Sequence, residues 1–520
     1  MKLERTKNTL RGVATGMLNK IVTLFLPFLV RTVLIQKIGM EYAGLNSLFT
    51  SILHILNLTE LGFSNAVVHS MYKPIAEDDE ETICALLHYY RRIYFVIGIV
   101  IFSAGLLIMP FLTRLIGGSY PSDVNLYLLY LIYLVNTSIS YLLFGYKNSI
   151  LNAFQQMDVI NNISTLTNAG LNIVQVLVLI TTKNYYGFVL VMPVFTLLNN
   201  LLTAYEAKRR FPQYVCRGSI SAKIRQDMRK KVSGLMIQKV CATTRNTLDS
   251  IFISAFMGLA LTAVYSNYYY IMNAVTILMG ILTASMQGGV GNGVASESKE
   301  ANFANMCRFE FMYLWIGGWF TAALLCLYQP FMRLWMGEEN LLGFQTVMLL
   351  CAYFYGLKIG DIRTLYYQAA GLWWEGKWRA LLESALNLLL NFLLGKMLGV
   401  NGIVLATLLS LITINFFYGG RFVFRYYFGM EKIRDYYLLH GQYLGVTVLC
   451  CVVTYVGCQL FTEICSIKNE LACFLIKGLF CMLIPNAFLL LVYGRTKRFQ
   501  ETVCWLRKKS QVIFGRKKGC

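Results

Sequence analysis

Residues 25–39 read FLPFLVRTVLIQKIG, an apolar run of the kind that crosses a bilayer, with Arg31 inside it. An arginine at the centre of a membrane helix costs about 2.5–3.5 kcal/mol on insertion scales. Either Arg31 snorkels out to an interface, or something within the membrane requires a positive charge.

The composition makes the membrane reading general. The chain has 520 residues, 57% apolar and only 14% charged, with a mean hydropathy of +0.54. Soluble domains carry about 25% charged residues. Apolar runs of spanning length recur from end to end, and no soluble domain fits between them. The fold class expected is an all-α polytopic membrane protein with about fourteen transmembrane helices, two six-helix lobes plus two C-terminal helices, with approximate cores at 12–36, 43–70, 92–113, 124–146, 159–181, 185–206, 233–257, 262–288, 309–332, 342–368, 379–397, 402–420, 440–462 and 471–494. The basic N-terminus is not followed by a short apolar region with a cleavage site, so no removable signal peptide is expected.

Charge sets the orientation. Lys and Arg crowd the N-terminus, the connection at 206–231 and the tail at 495–520, whereas loops on the other side are short and nearly uncharged. The positive-inside rule then places both termini and the 206–231 connection in the cytoplasm. Those last two segments supply +15 of the formal charge of +21. The excess therefore reflects topology and attraction to anionic lipid, and no nucleic-acid partner is required. The domains expected are an N-terminal lobe at 1–207, a basic cytoplasmic linker at 208–231, a C-terminal lobe at 232–430, helices 13 and 14 at 431–494, and a basic cytoplasmic tail at 495–520. The opening helices of the lobes, NKIVTLFLPFLVRTVLIQKIG (19–39) and QKVCATTRNTLDSIFISAFMG (238–258), share the spacing from amide-plus-lysine to glycine. A parallel internal repeat is the expectation, with a substrate path between the bundles.

Polar side chains recur at helical spacing within the spans. Lys20 and Arg31 are eleven residues apart, which returns to within about 20° on a helix. Asn46, Thr50 and Asn57 share a stripe with Glu60 close by. Asn161, Thr165, Asn168, Asn172 and Gln175 line one face of the fifth helix. Gln238, Arg245 and Asp249 line a face of the seventh, where Lys239 also stands; Lys358, Asp361 and Arg363 mark the tenth, and Glu383, Asn387 and Asn391 the eleventh. Each stripe has a plain structural reading. Arg245 and Asp249 can neutralise one another, and Asn or Gln can glue helices at about 0.6 kcal/mol per contact. Stripes in several helices of both halves, with cations in excess, point instead to a shared wet cavity.

No nucleotide loop, paired catalytic carboxylates or metal-ligand spacing occurs, so no cofactor or metal is expected and the chain is not read as an enzyme. The fourteen cysteines contain no CxxC pair and mostly sit in apolar runs, where they act as small hydrophobes.

These stretches carry a family likeness. PFLVRTVLIQKIGMEYAGLNSLFTSIL with LTELGFSNAVVHSMYKPIAEDDEE, LNAFQQMD, KKVSGLMIQKV with TRNTLDSIFIS, YSNYYYIMNAV, and QPFMRLWMGEE with YYQAAGLWWEGKWRALLESALNLLLN are the relevant segments. Through them the chain resembles the polysaccharide (Wzx-type, oligosaccharide-lipid) flippases of the multidrug/oligosaccharidyl-lipid/polysaccharide exporter superfamily, from near residue 5 to about 430. The resemblance implies two lobes facing each other as a V in a bacterial cytoplasmic membrane. It implies alternating access that moves an undecaprenyl-pyrophosphate-linked glycan from the cytoplasmic to the outer leaflet, alongside a glycan polymerase and glycosyltransferases. It also implies cavity arginines and a tail groove shaped by the last two helices. Arg31, Arg245, Lys20, Lys239 and Arg363 then become contacts for the anionic headgroup, with Asn57, Asn168 and Asn172 for sugar hydroxyls. Glu60, Asp249, Asp361 and Glu383 become candidates for ion coupling. The rival readings are a cation-coupled multidrug exporter of the same superfamily, a polytopic glycan polymerase or glycosyltransferase, and a non-transporting scaffold.

Overall fold

The computed structural model describes residues 5–57, 63–222, 225–226, 241, 243–244, 247–372, 375–465 and 469–513. Glu60, Lys239 and Arg245 lie outside them, as does Gln238. The described residues are almost all helical, with no strand among them. Contacts divide the chain into two compact units, Met1–Ser266 and Asn267–Cys520.

The first unit contains α1 (Arg5–Lys37), α2 (Met40–Leu56), α3 (Phe63–Ala76), α4 (Glu80–Ile108), α5 (Leu126–Leu142), α6 (Asn148–Ala153), α7 (Met157–Thr182) and α8 (Tyr185–Arg210). It also holds the short apolar α9 (Thr247–Met257) and the first residues of α10 (Leu259–Ser296). Helix starts follow from capping side chains. Asn125 accepts from the amides of Tyr127 and Leu128, and Asn184 from those of Tyr186 and Gly187, which satisfies donors a helix leaves open at its first turn. α1 runs along α7, α7 along α8, and α5 between α4 and α8. Close approach of α4 to α5 depends on Gly105, where an added Cβ would fall 2.3 Å from Leu134. The core gathers around Phe49, Tyr130, Tyr133 and Leu134.

The second unit contains the rest of α10, then α11 (Lys299–Met336), α12 (Phe344–Lys358), α13 (Asp361–Ala369), α14 (Lys377–Ser410), a π-helical segment Leu411–Tyr418, α15 (Gly419–Val423), a second π segment Phe424–Phe428, α16 (Ile433–Cys465), α17 (Glu470–Tyr493) and α18 (Lys497–Ile513). α11, α16 and α17 pack against one another, and α12 packs on α11 and α14. α14 is two helices joined at Gly399, whose φ of 60° suits glycine. Gly402 tightens the joint: a Cβ there would lie 1.9 Å from the Leu394 carbonyl oxygen.

Nine helices among the described residues are long and apolar enough to cross a membrane, or ten if the bent pair Leu126–Leu142 and Gly145–Ala153 is one span. The number is compatible with fourteen. The continuous 377–428 stretch covers the expected spans 379–397 and 402–420. The expected span 342–368 is broken into α12 with α13, and the expected span 43–70 takes in most of α2 and part of α3, with 58–62 outside the described residues. Much of the expected span 233–257 lies outside the described residues.

Candidate functional site

In the first unit, Arg31 projects from α1 and is half-buried. Its guanidinium donates to Ser47 Oγ at 3.2 Å and to the Ala263 carbonyl oxygen at 3.2 Å. Ser47 is fixed in turn by donating to the Ala43 carbonyl oxygen. Nearby, Tyr133 bonds both Asn46 Oδ1 at 2.7 Å and the Tyr185 hydroxyl at 3.1 Å. The Arg31 charge acts on Tyr185. A polar seam thus joins α1, α2, α5, α8 and the start of α10. Backbone docking secures that start: the Gly117 amide donates to the Ser254 carbonyl oxygen at 2.6 Å, and Gly44 leaves no room for a Cβ beside Leu259. Lys20 is exposed on α1.

The α7 stripe divides by neighbour. Asn161 and Thr165 meet Thr15 and Asn19 of α1 (3.3 and 3.0 Å), and Gln175 donates to the Phe188 carbonyl oxygen on α8. Those contacts are helix–helix glue. Asn168 instead lines a hollow of about 200 Å³ with Ser140, Ser164, Thr167, Asn199 and Asn200. Thr167 bridges to Asn199 across it at 3.1 Å. Asn172 is buried and donates to the Asn168 carbonyl oxygen. Asn57 ends α2, and its buried Oδ1 has no partner among the described residues. Asp249 is fully buried and accepts from the Tyr265 hydroxyl at 3.1 Å.

In the second unit the polar residues form a chain. Arg363 is only 2% exposed. It donates to the Asn415 carbonyl oxygen and Oδ1 (2.7 and 3.0 Å) and to the Phe416 carbonyl oxygen at 2.9 Å. Asn415 donates onward to Glu383, which Arg379 approaches at 3.4 Å. The π segment leaves carbonyl oxygens off the regular α pattern, and Arg363 satisfies them. Asp361 accepts from Lys358 at 3.0 Å and from the Tyr313 hydroxyl at 2.6 Å. Asn387 bonds Thr407, and Asn391 bonds Asn387. Sequence spacing thus pointed to Arg363, Glu383 and Asp361, but not to Asn415 or Arg379 as their partners.

Glu310 on α11 and His440 on α16 form a buried pair that the sequence reading did not single out. Each stands at the first turn of an expected span (309–332 and 440–462), where a polar residue reads as interfacial. His440 also lines a largely apolar cavity of about 520 Å³ between α12, α14, the first π segment and α16, with Tyr355, Leu408, Phe416, Tyr437 and Thr447. Cys326, Cys458 and Cys481, from three helices, bring their Sγ atoms within 4.8 Å of one another, a donor set that could hold a soft cation. Spacing in the sequence gave no hint of it.

No family model matches the chain, and no curated protein matches it in sequence. Solved structures do match in fold. The lipid II flippase MurJ, in an inward closed conformation, superposes with a TM-score of 0.64 at 17% identity, covering 93% of this chain and 98% of that one. An inward-facing MATE family multidrug resistance transporter of the MOP superfamily gives 0.58 at 15% identity, over 76% and 94%. A mutant of the Vibrio cholerae MATE transporter VcmN gives 0.55 at 13% identity, over 81% and 96%. The chain is a multi-pass membrane protein with the fold shared by these lipid-linked flippase and multidrug transporter structures.

Proposed function

We propose that this protein is a flippase that moves an undecaprenyl-pyrophosphate-linked oligosaccharide from the cytoplasmic to the outer leaflet by alternating access, for export of cell-surface polysaccharide. The observation that carries the reading is Arg31, a guanidinium inside an apolar helix, anchored by Ser47 and Ala263, on a fold shared with a lipid II flippase. Sugars and pyrophosphate lose hydration in hydrocarbon, so they cross only where polar groups replace water. Arg suits pyrophosphate through its forked donors. In this reading Arg31, Arg245, Lys20, Lys239 and Arg363 attract the headgroup. Asn57, Asn168 and Asn172 meet sugar hydroxyls.

The lobes at 1–207 and 232–430 rock about the site, with helices 13 and 14 at 431–494 beside them. Both termini are cytoplasmic in a bacterial cytoplasmic membrane, and the flippase works alongside glycan polymerase and glycosyltransferases. The protein itself breaks no covalent bond. Glu60, Asp249, Asp361 and Glu383 are candidates for ion coupling.

The test is charge removal. Arg31→Ala and Arg245→Ala, expressed at normal levels, are expected to lose surface glycan and flipping in proteoliposomes; full activity in both overturns the headgroup role. The likeness to MATE transporters favours a second reading, a cation-coupled multidrug exporter. Efflux of organic cations by the purified protein, with no flipping of lipid-linked glycan, would establish that reading instead.

A further inference from the structure

An unpaired buried carboxylate is costly, because its charge loses water and gains nothing in return. In the second unit Asp361 has Lys358 and Tyr313, and Glu383 has Arg379 and Asn415. Glu310 differs. It is 0% exposed, and neither of its oxygens has a hydrogen-bond partner among the described residues. The Nε2 of His440, itself 3% exposed, stands 3.3 Å from Glu310 Oε2, and neither ring nitrogen of His440 has a hydrogen-bond partner among the described residues.

The ring is held in place by aromatic neighbours: Tyr436 and Phe416 lie edge-on at 4.4 and 5.2 Å between centroids, with Tyr443 beyond at 6.1 Å. His440 borders the 520 Å³ cavity, which is also lined by the hydroxyl-bearing Thr321, Tyr355, Tyr437 and Thr447. That space is large enough for water, and these groups can hold it there.

The other charged and titratable groups around the pair come from every neighbouring helix. Cys307 is on α11, Arg363 and Tyr366 on α13, Asp435, Tyr436 and Tyr443 on α16, and Arg498 on α18. Tyr355 of α12 faces the shared cavity, and Tyr493 of α17 lies against Tyr443. The two arginines direct donors elsewhere, Arg363 to Asn415 and Phe416 and Arg498 to the Tyr443 hydroxyl.

We propose that Glu310 and His440 form a proton-binding dyad that couples proton movement to the conformational cycle of this transporter. With one proton between them the pair is neutral. A second proton, taken from cavity water, occupies the remaining basic site and leaves the pair at +1; returning it to water restores neutrality. The ligand is a proton rather than a metal cation, because hard cations take several oxygen ligands and the carboxylate here faces an imidazole nitrogen. α11 and α16 pack directly, so a charge appearing between them acts on the contact of two long helices.

This inference rests on the transport reading for its consequence but not for its first test. The chain has four histidines, so the full-length protein labelled at histidine nitrogens and placed in nanodiscs gives few imidazole signals, and His440→Gln identifies the one concerned. That signal is expected to respond to pH over the range in which the protein stays folded, and Glu310→Gln to change that response. A signal that stays constant over that range, or an unchanged response in Glu310→Gln, overturns the dyad. Where the amide variant does not fold, Glu310→Asp keeps the charge, retracts it, and is expected to give a smaller shift in the same signal. In proteoliposomes an imposed pH gradient should accelerate substrate movement by the wild type and not by Glu310→Gln; equal acceleration in both overturns the coupling. If His440 titrates as expected while no lipid-linked glycan moves under any gradient, the dyad stands and the flippase reading falls.

Discussion

Arg31 on α1 donates to the carbonyl oxygen of Ala263, 232 residues further along the chain, and to Ser47 Oγ with its other terminal nitrogen. Lysine carries the same charge but cannot reproduce a fork of two fixed donors. Arg31→Lys is therefore expected to lower flipping about tenfold or more, and Arg31→Ala further still, since charge-assisted hydrogen bonds contribute about 1.5–3 kcal/mol each. Initial rates at several substrate concentrations in proteoliposomes check this. Equal rates for Arg31→Lys and the wild type would refute a geometric role.

Arg363 is expected to matter first for stability. Arg363→Met removes the donors that satisfy the carbonyl oxygens of Asn415 and Phe416, and each buried acceptor left open costs about 1–3 kcal/mol. Thermal unfolding in detergent should fall by several degrees, with Arg363→Lys in between. An unchanged unfolding temperature would contradict the structural role.

Lys358 is 5% exposed and depends on Asp361. Asp361→Asn is expected to destabilise by about 2–3 kcal/mol, less than a fully buried pair because water reaches the carboxylate. The double variant Lys358→Met/Asp361→Leu should recover most of that loss. A thermodynamic cycle of the four proteins measures the coupling directly.

Glycine positions give a sharp contrast. Gly402→Ala sets a methyl 1.9 Å from the Leu394 carbonyl oxygen, whereas a Cβ at Gly280 has nothing within 4 Å. The first should lower stability by about 1–3 kcal/mol or more, and the second raise it by about 0.5–1 kcal/mol through helix propensity. Unfolding temperatures of the two variants are the measurement.

Helices of membrane length were legible because apolar runs are a bulk property of the sequence, and even the joint at Gly399–Gly402 shows as paired glycines between two such runs. Which stripe residues line a space was not legible. Asn161 and Asn168 share a face of α7, yet α1 covers the first and leaves the second at a hollow. Arg363 could be read as a buried cation, but its partners come from a π segment that no apolar period announces. Glu310 and His440 stand 130 residues apart at the edges of two apolar runs, and only packing of α11 on α16 makes them one pair. Glu60, Lys239 and Arg245 lie outside the described residues, so ion coupling at Glu60 and headgroup contact at Lys239 and Arg245 rest on the sequence alone.

The widened turn at Leu411–Tyr418 amounts to a surplus residue stored in a membrane helix. Shortening the chain by one position there lets the backbone relax to ordinary α geometry, whereas the same deletion in the first half of α14 turns every later side chain by about 100° away from its neighbours. Tolerance to length change should therefore be greater at this turn than in the first half of α14, because here the helix can lose a residue and keep its face.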